Sequence, residues 1–201
     1  MAIAAHFDLD MVQLDGINVF CNSQMDKEIY VEIPEGIKDL DLLPTNIGRD
    51  HVLRLLRALY GLRRSPILWF NEFSNACKEL GLRPIAEDTC LFTNGRILLF
   101  FYVDNIVLLS CKEDREERDL LISKLSSRYE MRYLGNLQWF LNIHVIRDCS
   151  ARKIWLCQDS YIDKIVNMYN LSHGAKAFTP LSGTSLLPYT GTATPQQIYR
   201  F

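Results

Sequence analysis

The residues best suited to chemistry are two aspartates that end hydrophobic segments. Ile97–Val103 is a run of seven apolar residues, followed by Asp104-Asn105 and then by apolar Ile106–Leu109. Two apolar runs split by two turn-forming residues predict a buried hairpin with a carboxylate at its tip. A second carboxylate, Asp15, follows the short predicted strand Met11–Leu14. If those strands are neighbours, Asp15 and Asp104 converge, and two carboxylates are what divalent metal needs for phosphoryl transfer. One ion lowers the pKa of the attacking hydroxyl and the other stabilises the leaving oxygen, ~3.5–4 Å apart. Hard Mg²⁺ favours such oxygen donors. Asp-Asn alone is also an ordinary two-residue turn, because both residues tolerate left-handed backbone angles.

The segment HVLRLLRALYGLRRSP, His51–Pro66, is the second candidate. It places Arg54, Arg57, Arg63 and Arg64 around Tyr60 and Gly61, and Arg49–Arg64 holds five arginines against Asp50 alone. Basic and aromatic residues leading into a helix suit phosphate and base contact. A solvated helix face followed by a glycine turn would have the same composition. Phe20, five residues after Asp15, is on its own a core aromatic.

The elements that must position these groups read as follows. Glu28–Ile33 alternates as a strand, with Ile29, Val31 and Ile33 on one side. Pro34–Asp50 is rich in loop formers. Ser65–Leu80 predicts a helix with Ser65 as N-cap, Pro66 in the first turn, and Trp69, Phe70, Phe73, Ala76, Cys77 and Leu80 on one face; Gly81 stops it. Glu113–Tyr129 predicts a second helix with Leu121, Leu125 and Tyr129 inward. Trp139–Ile146 and Lys153–Leu156 predict a strand pair. Ser160–Tyr169 predicts a short helix with Tyr161, Ile162, Ile165, Val166 and Tyr169 inward. Ala2–Ala5 reads as the end of a helix, and the chain from Phe178 has the texture of a linker. This order of elements predicts an α+β fold, an antiparallel sheet with helices packed on one face.

The 201 residues suit one domain with a small appendage. A net charge of −2 counts mildly against a nucleic-acid binder, although a local basic patch overrides such a sum. Six cysteines without CxxC spacing, and no apolar leader, predict reduced, mostly buried thiols in an intracellular protein, cytoplasmic or nuclear rather than secreted. No apolar run reaches membrane-span length, and the four histidines show no zinc spacing.

Five segments in order carry a resemblance. VQLDGINVFCNSQMDKEIYVEIPEGI, VLRLLRALYGLRRSPILWF, LLFFYVDNIVLLS, YEMRYLGNLQWFLNIHV and QDSYIDKIVNMYNLSHGAKAFTPL resemble successive motifs of the reverse transcriptase of copia-type retrotransposons. The likeness runs from about Ala2 to Leu181. It implies a right-hand polymerase palm over residues 1–177, with 178–201 leading toward an RNase H domain. It implies DNA synthesis on an RNA or DNA template-primer from deoxynucleoside triphosphates, with Mg²⁺ or Mn²⁺. Asp15 and Asp104 would be the metal ligands. Phe20 would lie under the incoming sugar, and Tyr60, Gly61, Ser65 and Pro66 would shape the nucleotide pocket. Tyr102 would lie near the primer end, with Leu134-Gly135 and Trp139-Phe140 supporting the primer. Arg54, Arg57, Arg63 and Arg64 would meet nucleic acid.

The departures are as specific. The family has a second Asp after Asp104, where this chain has Asn105, which keeps the shape and loses a negative charge. Around Asp15, Gly16, Ile17 and Ser23 replace a different usual run, and Gly16 weakens a strand position. Template-binding fingers would lie before Met1. These departures predict a fragmentary copy with impaired catalysis. The alternative is a non-catalytic remnant with residual nucleic-acid binding.

Overall fold

The computed structural model describes residues 1–35, 37, 51–171, 191, 192 and 194. Most of the expected Pro34–Asp50 loop and of the expected linker beyond Phe178 lies outside the described residues. So does the expected boundary at 177. The chain divides into two compact units, Met1–Gln158 and Asp159–Phe201.

The first unit is mixed α and β. It begins with α1 (Ala2–His6), β1 (Asp10–Gly16), a 3-10 turn (Val19–Asn22), β2 (Tyr30–Glu32) and β3 (Val52–Arg54). The helix α2 (Ser65–Glu79) follows, then β4 (Arg83–Ile85), β5 (Asp88–Thr93), β6 (Ile97–Tyr102) and β7 (Asn105–Ser110). The unit ends with α3 (Arg115–Arg128), β8 (Met131–Asn136), β9 (Trp139–Phe140), β10 (Ile143–Asp148) and β11 (Lys153–Cys157). Six strands form one antiparallel sheet in the order β4-β5-β6-β7-β1-β8. Separate small sheets hold β11-β10-β9 and β2-β3.

The central strands are apolar on both faces because both faces are covered. Alternation sends Ile97, Leu99, Phe101, Ile106, Leu108, Val12 and Leu14 into a core with Trp69, Phe73, Ala76 and Cys77 of α2 and Leu121 and Leu125 of α3. Met11, Val107 and Leu109 enter a second core with Ala4 of α1, Leu137 and Val145. Thus the two long helices share one face as expected, while α1 and the strand β10 help cover the other.

The helix α2 stops by a Schellman arrangement. Gly81, at φ +88°, donates its N–H to Lys78 O, and Leu82 donates to Cys77 O, each at 3.0 Å. Its start differs from expectation. Arg64 occupies the cap position and no side chain caps it. The Ser65 hydroxyl instead donates to Leu59 O, drawn there because Ser65 is buried under the preceding loop.

Three further corrections concern strands. The Trp139–Ile146 run is a tight hairpin rather than one strand: Phe140 pairs with Ile143 across Leu141 and Asn142, both at positive φ. The β6–β7 turn is Val103-Asp104, one residue earlier than Asp104-Asn105, so Asn105 is a paired strand residue facing Tyr102. The strands β3, β4, β5 and β8 went unrecognised in the sequence. The strands β3 and β4 are only three residues long, β8 is an edge strand, and β5 carries Asp88, Thr89 and Thr93; with Pro84 in β4 and Gly135 in β8, alternation is weak.

In the second unit, α4 (Asp159–Met168) forms where expected. Of the expected inward stripe, Ile165 and Val166 are half-buried, while Tyr161, Ile162 and Tyr169 are exposed. Helical periodicity gives a stripe its shape and does not supply a surface to cover it. The cysteines also depart from expectation. All six are free, yet only Cys77 is buried, and Cys21 and Cys149 are exposed. Burial pushes the Cys77 thiol up to about 12, so it stays protonated at neutral pH. No helix among the described residues is long and apolar enough to cross a membrane.

Candidate active site

The antiparallel register sets a row of four residues across four strands. Tyr102 of β6 faces Asn105 of β7, Asn105 faces Asp15 of β1, and Asp15 faces Arg132 of β8. Asp104 sits beside this row in the β6–β7 turn. The strand that carries Asp15 therefore lies beside the strand that follows Asp104, the condition under which the two carboxylates could meet. Strand β1 reaches Asp15 because its Val12 and Leu14 are buried to 2% and 0% exposure, which leaves little freedom of register.

The turn is held from two sides. The Gly16 N–H donates to Asp104 O at 2.8 Å. The Trp69 indole Nε1–H donates to Val103 O at 2.7 Å. Val103 adopts φ +56°, a conformation that costs a β-branched residue about 1–3 kcal/mol, and these contacts oppose its relaxation. Gly16, which by sequence only weakens a strand, has a positive role here. A Cβ at Gly16 would fall 2.4 Å from Val19 Cγ1 and 3.6 Å from Asp104 O. Val19 is buried and stiff at χ1, so it yields poorly. Gly16→Ala is expected to cost about 1–3 kcal/mol in urea unfolding. A cost below about 0.5 kcal/mol, within the range of an unremarkable surface change, would mean that the approach is not tight.

The side chains form a connected polar set. Gln13 Nε2–H donates to Asn105 Oδ1 at 3.1 Å, and Asn105 Nδ2–H donates to Asp104 Oδ1 at 3.0 Å. Arg132 Nη1 lies 4.0 Å from Asp15 Oδ2, a pair with its side chains 66% and 32% exposed. An ion pair that open to water is weak. Arg132 was missed in the sequence, because β8 carries no strong strand signal and only the register brings it to Asp15.

Phe20 and Tyr60 meet at this end of the sheet, with ring centroids 4.6 Å apart. The Tyr60 phenol is pushed above its ordinary value, first by burial and then by the negative fields of Asp104, Cys21 and, more weakly, Asp15. Raised in this way, the phenol stays protonated at physiological pH. Gly61, at φ +88°, turns the chain after Tyr60, and the Ser65 hydroxyl fastens that loop at Leu59. Pro66 is exposed in the first turn of α2. Tyr102 is exposed beside the hairpin tip.

The arginines are mostly committed within the protein. Arg54 pairs with Glu28 at 3.2 Å. Arg57 Nη1–H donates to Asn22 O at 2.7 Å. Arg64 makes a two-pronged pair with Asp26, and the guanidinium holds that carboxyl below the usual carboxylate range. Arg63 is exposed and has no partner among the described residues.

Two partly exposed carboxylates are a donor set that fits Mg²⁺ or Mn²⁺. Such ions commonly bind through one or two carboxylates, keep several waters and take phosphate oxygens from the substrate. No group of three or more His, Cys, Asp or Glu side chains able to hold a metal occurs among the described residues.

A family model described as reverse transcriptase (RNA-dependent DNA polymerase) matches residues 1–183. The chain is 30% identical over 189 residues to the retrovirus-related Pol polyprotein from transposon TNT 1-94 of Nicotiana tabacum, covering 91% of this chain and 14% of that protein. It is 29% identical to the putative transposon Ty5-1 protein of Saccharomyces cerevisiae, covering 92% of this chain and 60% of the relative. It is 28% identical to the Pol polyprotein from transposon RE1 of Arabidopsis thaliana, covering 90% of this chain and 12% of the relative. The chain thus spans a small part of the Pol polyproteins it matches and about three fifths of the Ty5-1 protein. No solved structure is a significant match. The chain belongs to the reverse transcriptase (RNA-dependent DNA polymerase) family, as a domain of the copia-type transposon lineage.

Proposed function

We propose that this chain carries the catalytic face of a polymerase palm, which extends a primer on an RNA or DNA template from deoxynucleoside triphosphates. The observation that carries the reading is the register that sets Asp15 beside the turn bearing Asp104. In this reading the primer 3′-oxygen attacks the α-phosphorus of the incoming nucleotide. The new O–P bond forms as the α–β bridge breaks, and pyrophosphate leaves. Asp15 and Asp104 would hold the divalent metal, which when bound activates the attacking hydroxyl and stabilises the leaving oxygen. Phe20, packed on Tyr60, would close the space under the sugar against a 2′-hydroxyl. Tyr60 would donate as a neutral phenol. Tyr102 and the β8–β9 segment around Leu134, Gly135, Trp139 and Phe140 would border the primer. Arg63, without a partner among the described residues, would meet phosphate, while Arg54, Arg57 and Arg64 would have to exchange internal partners for it.

A second reading is favoured by Asn105, which turns its NH₂ toward Asp104 where the family has a second carboxylate. In that reading the chain binds template-primer without chemistry. Primer extension on poly(rA)/oligo(dT) with Mg²⁺ or Mn²⁺ separates the two. The polymerase reading expects extension that falls at least about 100-fold in Asp104→Ala, the size seen when a transition-state charge contact is lost. Salt-sensitive template-primer binding with no extension by the native chain would favour the second reading.

A further inference from the structure

Asn105 does more than lose a charge, because its amide has a direction. A carboxylate only accepts hydrogen bonds, so Asp104 Oδ1, 3.0 Å from the amide, selects the NH₂ end of Asn105. The Oδ1 end must then face Gln13, which meets it with Nε2–H at 3.1 Å. Gln13 is only 6% exposed, and its strand register is fixed by the buried Val12 and Leu14. The three side chains form a relay with a single consistent polarity. Its last N–H points its positive end at the carboxylate that would hold the metal.

We propose that Gln13 is a positioning residue that fixes the direction of the Asn105 amide and thereby weakens divalent-cation binding at Asp104. The inference rests on the metal reading proposed above. With Gln13 donating to Oδ1, turning the amide oxygen toward a cation at Asp104 costs that hydrogen bond unless the Gln13 amide, which lines the adjoining cleft, turns with it. Gln13 and Asn105 also line a cleft of about 510 Å³ with Asn136, Gln138, Trp139 and Asn142. That space lets the Asn105 amide turn once Gln13 lets go.

The test compares Mn²⁺ uptake, read from the paramagnetic resonance of free Mn²⁺. The full chain is used at one pH as native, Gln13→Met, Asn105→Asp and the double variant. Gln13→Met is expected to tighten Mn²⁺ binding about 3- to 10-fold, the worth of one neutral hydrogen bond. In the Asn105→Asp background the same change gives no tightening, since a carboxylate has no donor end to turn. No change in the native background, or an equal change in both, overturns the proposal. Should Gln13→Met fail to fold, the native chain still decides. The Asn105 side-chain ¹⁵N–¹H pair should be shifted downfield and slow to exchange, and Asp104→Ala should abolish both. A pair that does not respond to Asp104→Ala overturns the relay. Absence of any Mn²⁺ uptake that Asp104→Ala removes sinks the metal reading and the tuning with it, while the amide pair reports the relay separately.

Discussion

Asn105→Asp is expected to raise metal-dependent primer extension about 10- to 100-fold over the native chain, the range of effects when a group directly supporting a metal ligand is changed. The native amide places an N–H against Asp104 Oδ1. The substitution removes that donor and sets a second carboxylate beside the first, one position along the chain and directly across from Asp15. Like charges so placed repel without a cation and cooperate with one. The gain in activity should therefore come with lower stability in metal-free buffer. Added Mg²⁺ should restore more stability to the variant than to the native chain, because the cation binds the folded state more tightly. Gln13 tolerates the change, since its Nε2–H can donate to the new carboxylate as it does to the amide oxygen. Extension rates and melting temperatures with and without Mg²⁺ check both parts. A variant that matches the native chain in rate and in metal response would move the defect away from position 105.

The site was legible in the sequence to the extent that strong hydrophobic patterns carried it. The runs around Asp104 and before Asp15 predicted two strands ending in carboxylates, and the cross-strand pairing of Asp15 with Asn105 agrees with their convergence. The turn was misplaced by one residue because Asp-Asn has better turn chemistry than Val-Asp. The indole of Trp69 on Val103 O and the N–H of Gly16 on Asp104 O hold the turn where local preference would not put it. That is tertiary structure overriding turn propensity. Arg132 and the relay from Gln13 could not be read at all. Both depend on pairing between strands far apart in the chain, 92 residues in the case of Gln13 and Asn105. The arginine segment shows the reverse failure. Its composition is that of a phosphate-binding patch, but the acidic partners Asp26 and Glu28 lie on a distant segment that composition does not connect to it. For α4 the period was right, but of its apolar stripe only Ile165 and Val166 are even half-buried.

Trp69→Phe is expected to lower stability by about 2–4 kcal/mol and to loosen Asp104 more than a remote core change of equal cost. Trp69 is 1% exposed and lies with Phe73 at 5.1 Å and Tyr129 at 5.3 Å between ring centroids. Phenylalanine keeps most of this packing and leaves a small void. It also removes the N–H that satisfies the half-buried Val103 O at 2.7 Å, a loss of up to about 1–3 kcal/mol to the extent that water does not replace the donor. That carbonyl belongs to the residue at φ +56°, so losing its anchor lets the turn relax toward ordinary backbone and carries Asp104 with it. A control separates anchoring from general destabilisation. Leu125→Ala empties a site at 0% exposure on α3, and no hydrogen bond to the turn is lost with it, for a comparable ~2–5 kcal/mol. Urea unfolding sets the two variants on one stability scale, and Mn²⁺ uptake under folding conditions reads the site. Weaker uptake in Trp69→Phe than in Leu125→Ala is the expected order. Equal uptake would mean that the Gly16 N–H to Asp104 O bond alone holds the turn, and that the indole contributes only to the core.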